Sequence, residues 1–156
     1  MSPRVSRWSN VVLALASGLG FAISVYGGRW WSFADSAVSV GPLGSQRCFS
    51  GSCSKIGFAW VGGSARFERF ANATWAAGLF AMLLLLFLAG ATAAGRRPKL
   101  VAKSTLVGMV CAVASGIGFI ALWPGMQGAA LDRGAVFYFV AAALGAIAAI
   151  RTLRSN

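Results

Sequence analysis

Four long apolar stretches, separated by short polar segments, constrain what this chain can fold into. They cover residues 11–26, 70–94, 104–123 and 135–150. Each is close to the ~20 residues that an α-helix needs to cross about 30 Å of hydrocarbon. The sequence therefore predicts an all-α membrane protein, a bundle of four transmembrane helices.

The composition argues against a second, soluble domain beside the four spans. The chain has 156 residues, of which 58% are hydrophobic and 11% are charged, whereas a soluble domain carries about 25% charged residues. We therefore predict a single four-span membrane domain over residues 1–156. The outer loop at 28–69 is the one segment long enough to form a subdomain.

The two sides of the predicted membrane bundle differ in charge. Eight basic residues and no acidic residue flank the spans on the side of both termini: Arg4, Arg7, Arg96, Arg97, Lys99, Lys103, Arg151 and Arg154. The other side carries six basic residues and all three acids: Arg29, Arg47, Lys55, Arg66, Arg69, Arg133, Asp35, Glu68 and Asp132. Basic residues near spans mark the cytoplasmic side, so we expect cytoplasmic termini and exoplasmic or periplasmic loops at 28–69 and 125–133.

The Ala-, Gly- and Arg-rich composition is typical of a bacterial protein, which places these loops outside a plasma (bacterial inner) membrane. The net charge of +11 is explained by the basic residues that set the orientation of the spans and contact anionic lipid head groups. Membrane lipids are therefore expected partners, and nucleic acid is not, because the positive charge is divided among short flanks.

Residues 30–63 of the outer loop alternate in a strand-like way. One or two strands are expected over 30–40, and strands over 46–49 and 52–61 would pair across a turn at Ser50-Gly51. Cys48 and Cys53 flank this turn and would face an oxidising compartment, where disulfides persist. We predict a small antiparallel β-sheet stapled by a structural Cys48–Cys53 disulfide. A redox-active pair is the alternative.

A short repeat links the first and third spans. Residues 16–21 read ASGLGF and residues 114–119 read ASGIGF. Glycines allow close approach of helix backbones in membranes. We therefore expect the repeat glycines to contact other helices, although glycine is also simply common in membrane helices. These residues are Gly18, Gly20, Gly116 and Gly118.

The outer loop resembles that of the claudin-like superfamily of four-span (tetraspan) membrane proteins, which includes peripheral myelin protein. The family motif has an early Trp, then Gly-Leu-Trp, then two cysteines flanking a hairpin. Here Trp30 or Trp31 supplies the first Trp, and Cys48 and Cys53 supply the pair. The sequence 41–43 (GPL) stands where Gly-Leu-Trp would be, without its Trp. The resemblance implies a disulfide-stapled loop sheet and a role in lateral or trans protein contacts.

The side chains on which enzymatic catalysis and ion-coupled transport commonly depend are largely missing from this sequence. The chain has no His, its acids are far apart in sequence, and no charged residue lies in the middle of a predicted span. Proton relays, metal catalysis and hydrolytic triads depend on such groups. We therefore predict no enzymatic activity, no metal and no cofactor.

The leading functional hypothesis is a non-enzymatic membrane scaffold or accessory subunit that binds partner proteins or copies of itself. Aromatic residues are favoured as interface anchors, and six lie in the outer loop: Trp30, Trp31, Phe33, Phe49, Phe58 and Trp60. Alternatively, these side chains form the core of the loop sheet or rest on lipid head groups. Two other functions remain open, a quinone-coupled thiol oxidoreductase and a small channel or transporter subunit.

Overall fold

The computed structural model describes residues 3–155 except 28, 34–37, 63 and 97, with side chains from Ser6 onward. It contains four helices: α1 (Pro3–Tyr26), α2 (Ala65–Ala93), α3 (Lys99–Ala121) and α4 (Arg133–Arg154). All four are long and apolar enough to cross a membrane. The predicted fold class, a four-helix membrane bundle with a small antiparallel sheet, is confirmed.

The helices extend beyond the apolar stretches because their first turns are polar. Helix α2 begins at Ala65, where the Ser64 side chain accepts a hydrogen bond from the backbone N–H of Phe67 at 3.3 Å. Helix α4 begins after Asp132, whose carboxylate accepts from the backbone N–H of Arg133 at 2.7 Å. Such caps satisfy backbone donors that have no partner inside the helix. Hydropathy detects only the part of each helix that crosses hydrocarbon.

Consecutive helices run antiparallel, and α1 lies between α2 and α4. Buried hydrogen bonds across the interface fix the register of α1 on α4, and two of them come from serines of α1. Ser17 Oγ donates to the carbonyl oxygen of Ala141 at 2.7 Å, and Ser24 Oγ donates to that of Gly134 at 2.7 Å. Such interhelical bonds are a common source of association in a bilayer, where lipid is as apolar as the helix surface.

One end of the bundle carries a five-stranded antiparallel sheet. Its strands are β1 (Trp31–Phe33), β2 (Val38–Gly41), β3 (Gly44–Phe49), β4 (Ser52–Ile56) and β5 (Ala129–Leu131). The spatial order is β4-β3-β2-β1-β5, so β5 joins from the connection between α3 and α4. We call this end of the bundle the sheet end. The opposite end, with the turn between α2 and α3, is the turn end.

The sheet differs from its prediction in two places. The strand expected over 52–61 ends at Ile56, and Ala59–Val61 forms a 3-10 turn. The chain bends there because Phe58 packs edge-on against Phe67 of α2, with ring centroids 5.4 Å apart. The segment expected as one or two strands over 30–40 forms two, with residues 34–37 outside the described part of the chain. Strand β5 was not predicted.

Candidate interaction surface at the sheet end

The hairpin of β3 and β4 carries the predicted disulfide. Cys48 and Cys53 are directly opposite in the register and are bonded to each other, with Cα atoms 4.0 Å apart. The turn between the strands consists of Ser50 and Gly51, both with positive φ (47° and 84°). Positive φ at both central residues is characteristic of the type I′ turn that matches the twist of a tight hairpin. The turn therefore places the two cysteines face to face.

Trp30 is part of the protein core, with 0% of its side chain exposed. Its ring contacts Phe119 of α3 and Tyr138 of α4 at centroid distances of 5.4 and 5.0 Å. Its indole N–H donates to Ser24 Oγ of α1 at 3.1 Å. A buried Trp usually has a partner for this N–H, and here the end of α1 supplies it.

Trp31 is buried as well, at 2% exposure. Its ring stacks on Trp123 with a centroid distance of 4.3 Å and meets Phe119 edge-on at 4.8 Å. The expectation that Trp30 and Trp31 are exposed anchors for a partner is wrong. Both attach the sheet to the helices, because their rings pack against Phe119, Trp123 and Tyr138.

We call these packed rings the junction cluster: Trp30, Trp31, Phe67, Phe119, Trp123 and Tyr138. They come from β1 and its flank, from α2, from the end of α3 and from α4. No single stretch of sequence contains this cluster. The adjacent tryptophans after the first span are the local signal that pointed to this region.

The other four loop aromatics divide into two pairs. Phe33 and Phe58 are partly buried against the core. Phe49 is 75% exposed at the tip of the hairpin, and Trp60 is 38% exposed. The indole N–H of Trp60 donates to Ser45 Oγ, which holds the ring beside β3. Of the six aromatics proposed as anchors, Phe49 is the one that projects freely.

The hairpin therefore presents a defined surface, which we call the hairpin surface: Arg47, Phe49, Ser52, Cys53, Ser54 and Lys55, all exposed. Strand β4 forms one edge of the sheet, so one side of its backbone has no strand partner. Arg47 and Lys55 are the only charged residues between positions 38 and 61. The surface is thus basic, with one large apolar side chain and an open row of backbone donors and acceptors.

The four repeat glycines lie against other helices. A Cβ on Gly18 would be 3.9 Å from Leu85 Cβ of α2, whereas one on Gly20 would be 2.9 Å from Ala141 Cβ of α4. These two glycines face different neighbours because they are two residues apart on one helix.

In the second copy of the repeat, a Cβ on Gly116 would lie 3.2 Å from ring atoms of Tyr138 and Phe139. One on Gly118 would collide with the ring of Phe70 on α2. These glycine faces therefore contact helices within one chain.

Among the described residues, no group of three or more His, Cys, Asp or Glu side chains is placed to hold a metal ion. Cys111, the third cysteine, lies exposed on α3, within a span and away from the hairpin. No family model matches the chain, and no curated protein is significantly similar to it.

Proposed function

We propose that this chain is a non-enzymatic integral membrane scaffold or accessory subunit that contacts a partner protein through its hairpin surface. The observation that carries the proposal is the free edge of β4, where residues from Ser52 to Lys55 are all exposed. An unpaired edge strand is a template for another strand. The disulfide holds this edge in one conformation before binding, which lowers the entropic cost of association.

The charge of the hairpin surface indicates the chemistry of the partner. Arg47 and Lys55 flank the disulfide, with no acid between positions 38 and 61. An acidic surface beside an apolar pocket for Phe49 complements this arrangement. Association should weaken as ionic strength rises, since exposed charges are screened over about 10 Å at 0.1 M salt. The claudin-like resemblance, with its lateral or trans contacts, agrees with this proposal and stays a prediction.

Site-specific photo-cross-linking in native membranes tests the proposal. A photoreactive phenylalanine analogue replaces Phe49, and a matched control replaces Leu131, which is 55% exposed on β5 at the opposite edge of the sheet. We expect a discrete cross-linked species from position 49 and none from position 131. The absence of a product at 49, or equal products at both positions, would contradict the proposal.

The disulfide separates the scaffold from the alternative thiol oxidoreductase. Under the scaffold proposal, changing both Cys48 and Cys53 to serine weakens the hairpin and lowers cross-linking at Phe49. Electron transfer from thiols to quinone in the same membranes is unchanged. Loss of that transfer would instead favour the enzyme.

We further propose that the sheet end faces the outside of a bacterial inner membrane. Lys55 is the only lysine in the sheet-end loops, and the other two lysines, Lys99 and Lys103, begin α3 at the turn end. A membrane-impermeant amine reagent applied to intact spheroplasts should therefore modify Lys55 and spare the other two. Modification of Lys99 and Lys103 alone would reverse the orientation.

A further inference from the structure

A groove of about 490 Å³ runs along the face of α2 that points away from the bundle. Three large apolar side chains form its walls, and small residues form its floor. A Cβ on Gly90 would meet no atom within 4 Å, so the floor is open to the bilayer. The lining residues are Leu83, Leu86, Phe87, Gly90, Ala91, Ala94 and Arg96.

The length of the groove matches one leaflet. Leu83 and Ala94 are 94 − 83 = 11 positions apart, which is about 16 Å at 1.5 Å per residue. Half of a ~30 Å hydrocarbon core is about 15 Å. Since α2 ends at Ala93, the groove occupies the leaflet at the turn end. Its shape therefore suits an extended hydrocarbon chain lying along the helix.

The basic residues at the end of the groove favour a lipid with an anionic head group. Arg96 lines the groove just beyond the helix, and Lys99 and Lys103 follow on the first turns of α3. Of the acids that the structure describes, Glu68 lies in the first turn of α2 and Asp132 caps α4, both at the sheet end. Within the described part of the chain, these cations therefore share their membrane surface with no acidic side chain. Basic residues beside a span attract anionic lipids.

The geometry points to a binding site for one anionic phospholipid, with an acyl chain in the α2 groove and its phosphate on Arg96. This inference does not depend on the proposed scaffold role. A second copy of the chain fits the groove less well. A two-fold contact brings the same patch of both copies together, which would place Arg96 near its counterpart with no acid to separate them.

Native mass spectrometry of the full chain in detergent micelles tests this inference. The protein is titrated with phosphatidylglycerol and, separately, with phosphatidylcholine carrying identical acyl chains. We expect the wild type to retain one phosphatidylglycerol in preference to phosphatidylcholine. Arg96→Gln should reduce this preference about fivefold, the effect of one basic residue at a membrane surface. Arg154→Gln, at the same membrane surface but outside the groove, should leave the preference unchanged.

A second pair of variants tests the groove itself. Gly90→Leu fills the floor and should abolish the preferential site, whereas Val110→Leu on the exposed face of α3 should not. Both positions are exposed, so helical circular dichroism should match the wild type. Equal retention of the two lipids by the wild type would overturn the inference. So would Arg96→Gln and Gly90→Leu variants that bind like the wild type, or a Gly90→Leu variant that changes only the dimer fraction.

Discussion

Gly18 and Gly20 differ in the space around them, and this difference predicts opposite outcomes for the same substitution. A Cβ at Gly18 would make ordinary contact with Leu85 Cβ of α2 at 3.9 Å. A Cβ at Gly20 would lie 2.9 Å from Ala141 Cβ of α4, and that neighbour cannot rotate away. We therefore expect Gly18→Ala to be tolerated and Gly20→Ala to destabilise the bundle.

The magnitudes follow from helix formation and packing. Replacing a helical glycine by alanine stabilises a helix by roughly 0.5–1 kcal/mol, so Gly18→Ala should raise the free energy of unfolding by up to that amount. Carbon atoms pack best about 3.5–4.0 Å apart, so Gly20→Ala forces α1 and α4 apart by up to ~1 Å. Over-packing of this kind costs about 1–3 kcal/mol, so the net loss after the gain in helix propensity is up to about 2.5 kcal/mol.

Equilibrium unfolding in mixed micelles, titrated with sodium dodecyl sulfate and followed by circular dichroism, measures both variants. Adding Ala141→Gly to Gly20→Ala removes the opposing Cβ. The double-mutant cycle should therefore give a favourable coupling of about 1 kcal/mol or more. The packing argument is refuted if the two glycine variants are equally stable, or if Gly20→Ala and Ala141→Gly are simply additive.

Three further predictions concern single polar features. Ser24→Ala removes two buried side-chain hydrogen bonds and Ser17→Ala removes one. The Trp30 indole N–H keeps the Ser24 carbonyl as a partner at 3.3 Å, so at ~0.6 kcal/mol per bond the unfolding titration should show a larger loss for Ser24→Ala, up to about twice, and equal losses would contradict this. Ser50 has φ of 47°, so Ser50→Asn should slow proteolysis of the reduced hairpin and Ser50→Val should speed it, since β-branched residues fit positive φ poorly. Changing Cys48 and Cys53 to serine opens a loop of sequence separation 5 and should cost about 2 kcal/mol by loop entropy, a loss that reduction of the wild type should reproduce.

The features that were predictable from the sequence are local or set by the bilayer. Each helix needs only its own apolar residues to be recognised, because hydrocarbon imposes length and composition on any span. The β3–β4 hairpin needs only Ser50-Gly51 between two alternating runs. The disulfide follows from that turn, since Cys48 and Cys53 are opposite each other only if the hairpin forms.

The features that were missed depend on distant partners. Strand β5 has three residues, Ala129–Leu131, and forms only because it pairs with β1 almost one hundred positions earlier. The burial of Trp31 depends on Trp123 and Phe119 arriving from the end of α3. An aromatic residue in a loop has the same sequence pattern whether it faces a partner or a neighbouring helix, so exposure at this position was not predictable.

Hydrogen bonds between connecting segments explain why one half of the sheet belongs to the bundle and the other half projects from it. The backbone N–H of Asp132 donates to the carbonyl oxygen of Trp30, and that of Gly134 donates to Arg29, both at 2.8 Å. The segment that follows α1 is thereby joined to the segment that precedes α4, and the Trp30 ring is buried next to them. Burial falls from β1 towards β4, whose residues are almost all exposed. A partner bound to the hairpin surface, as proposed, would thus be held at a position that the helices determine.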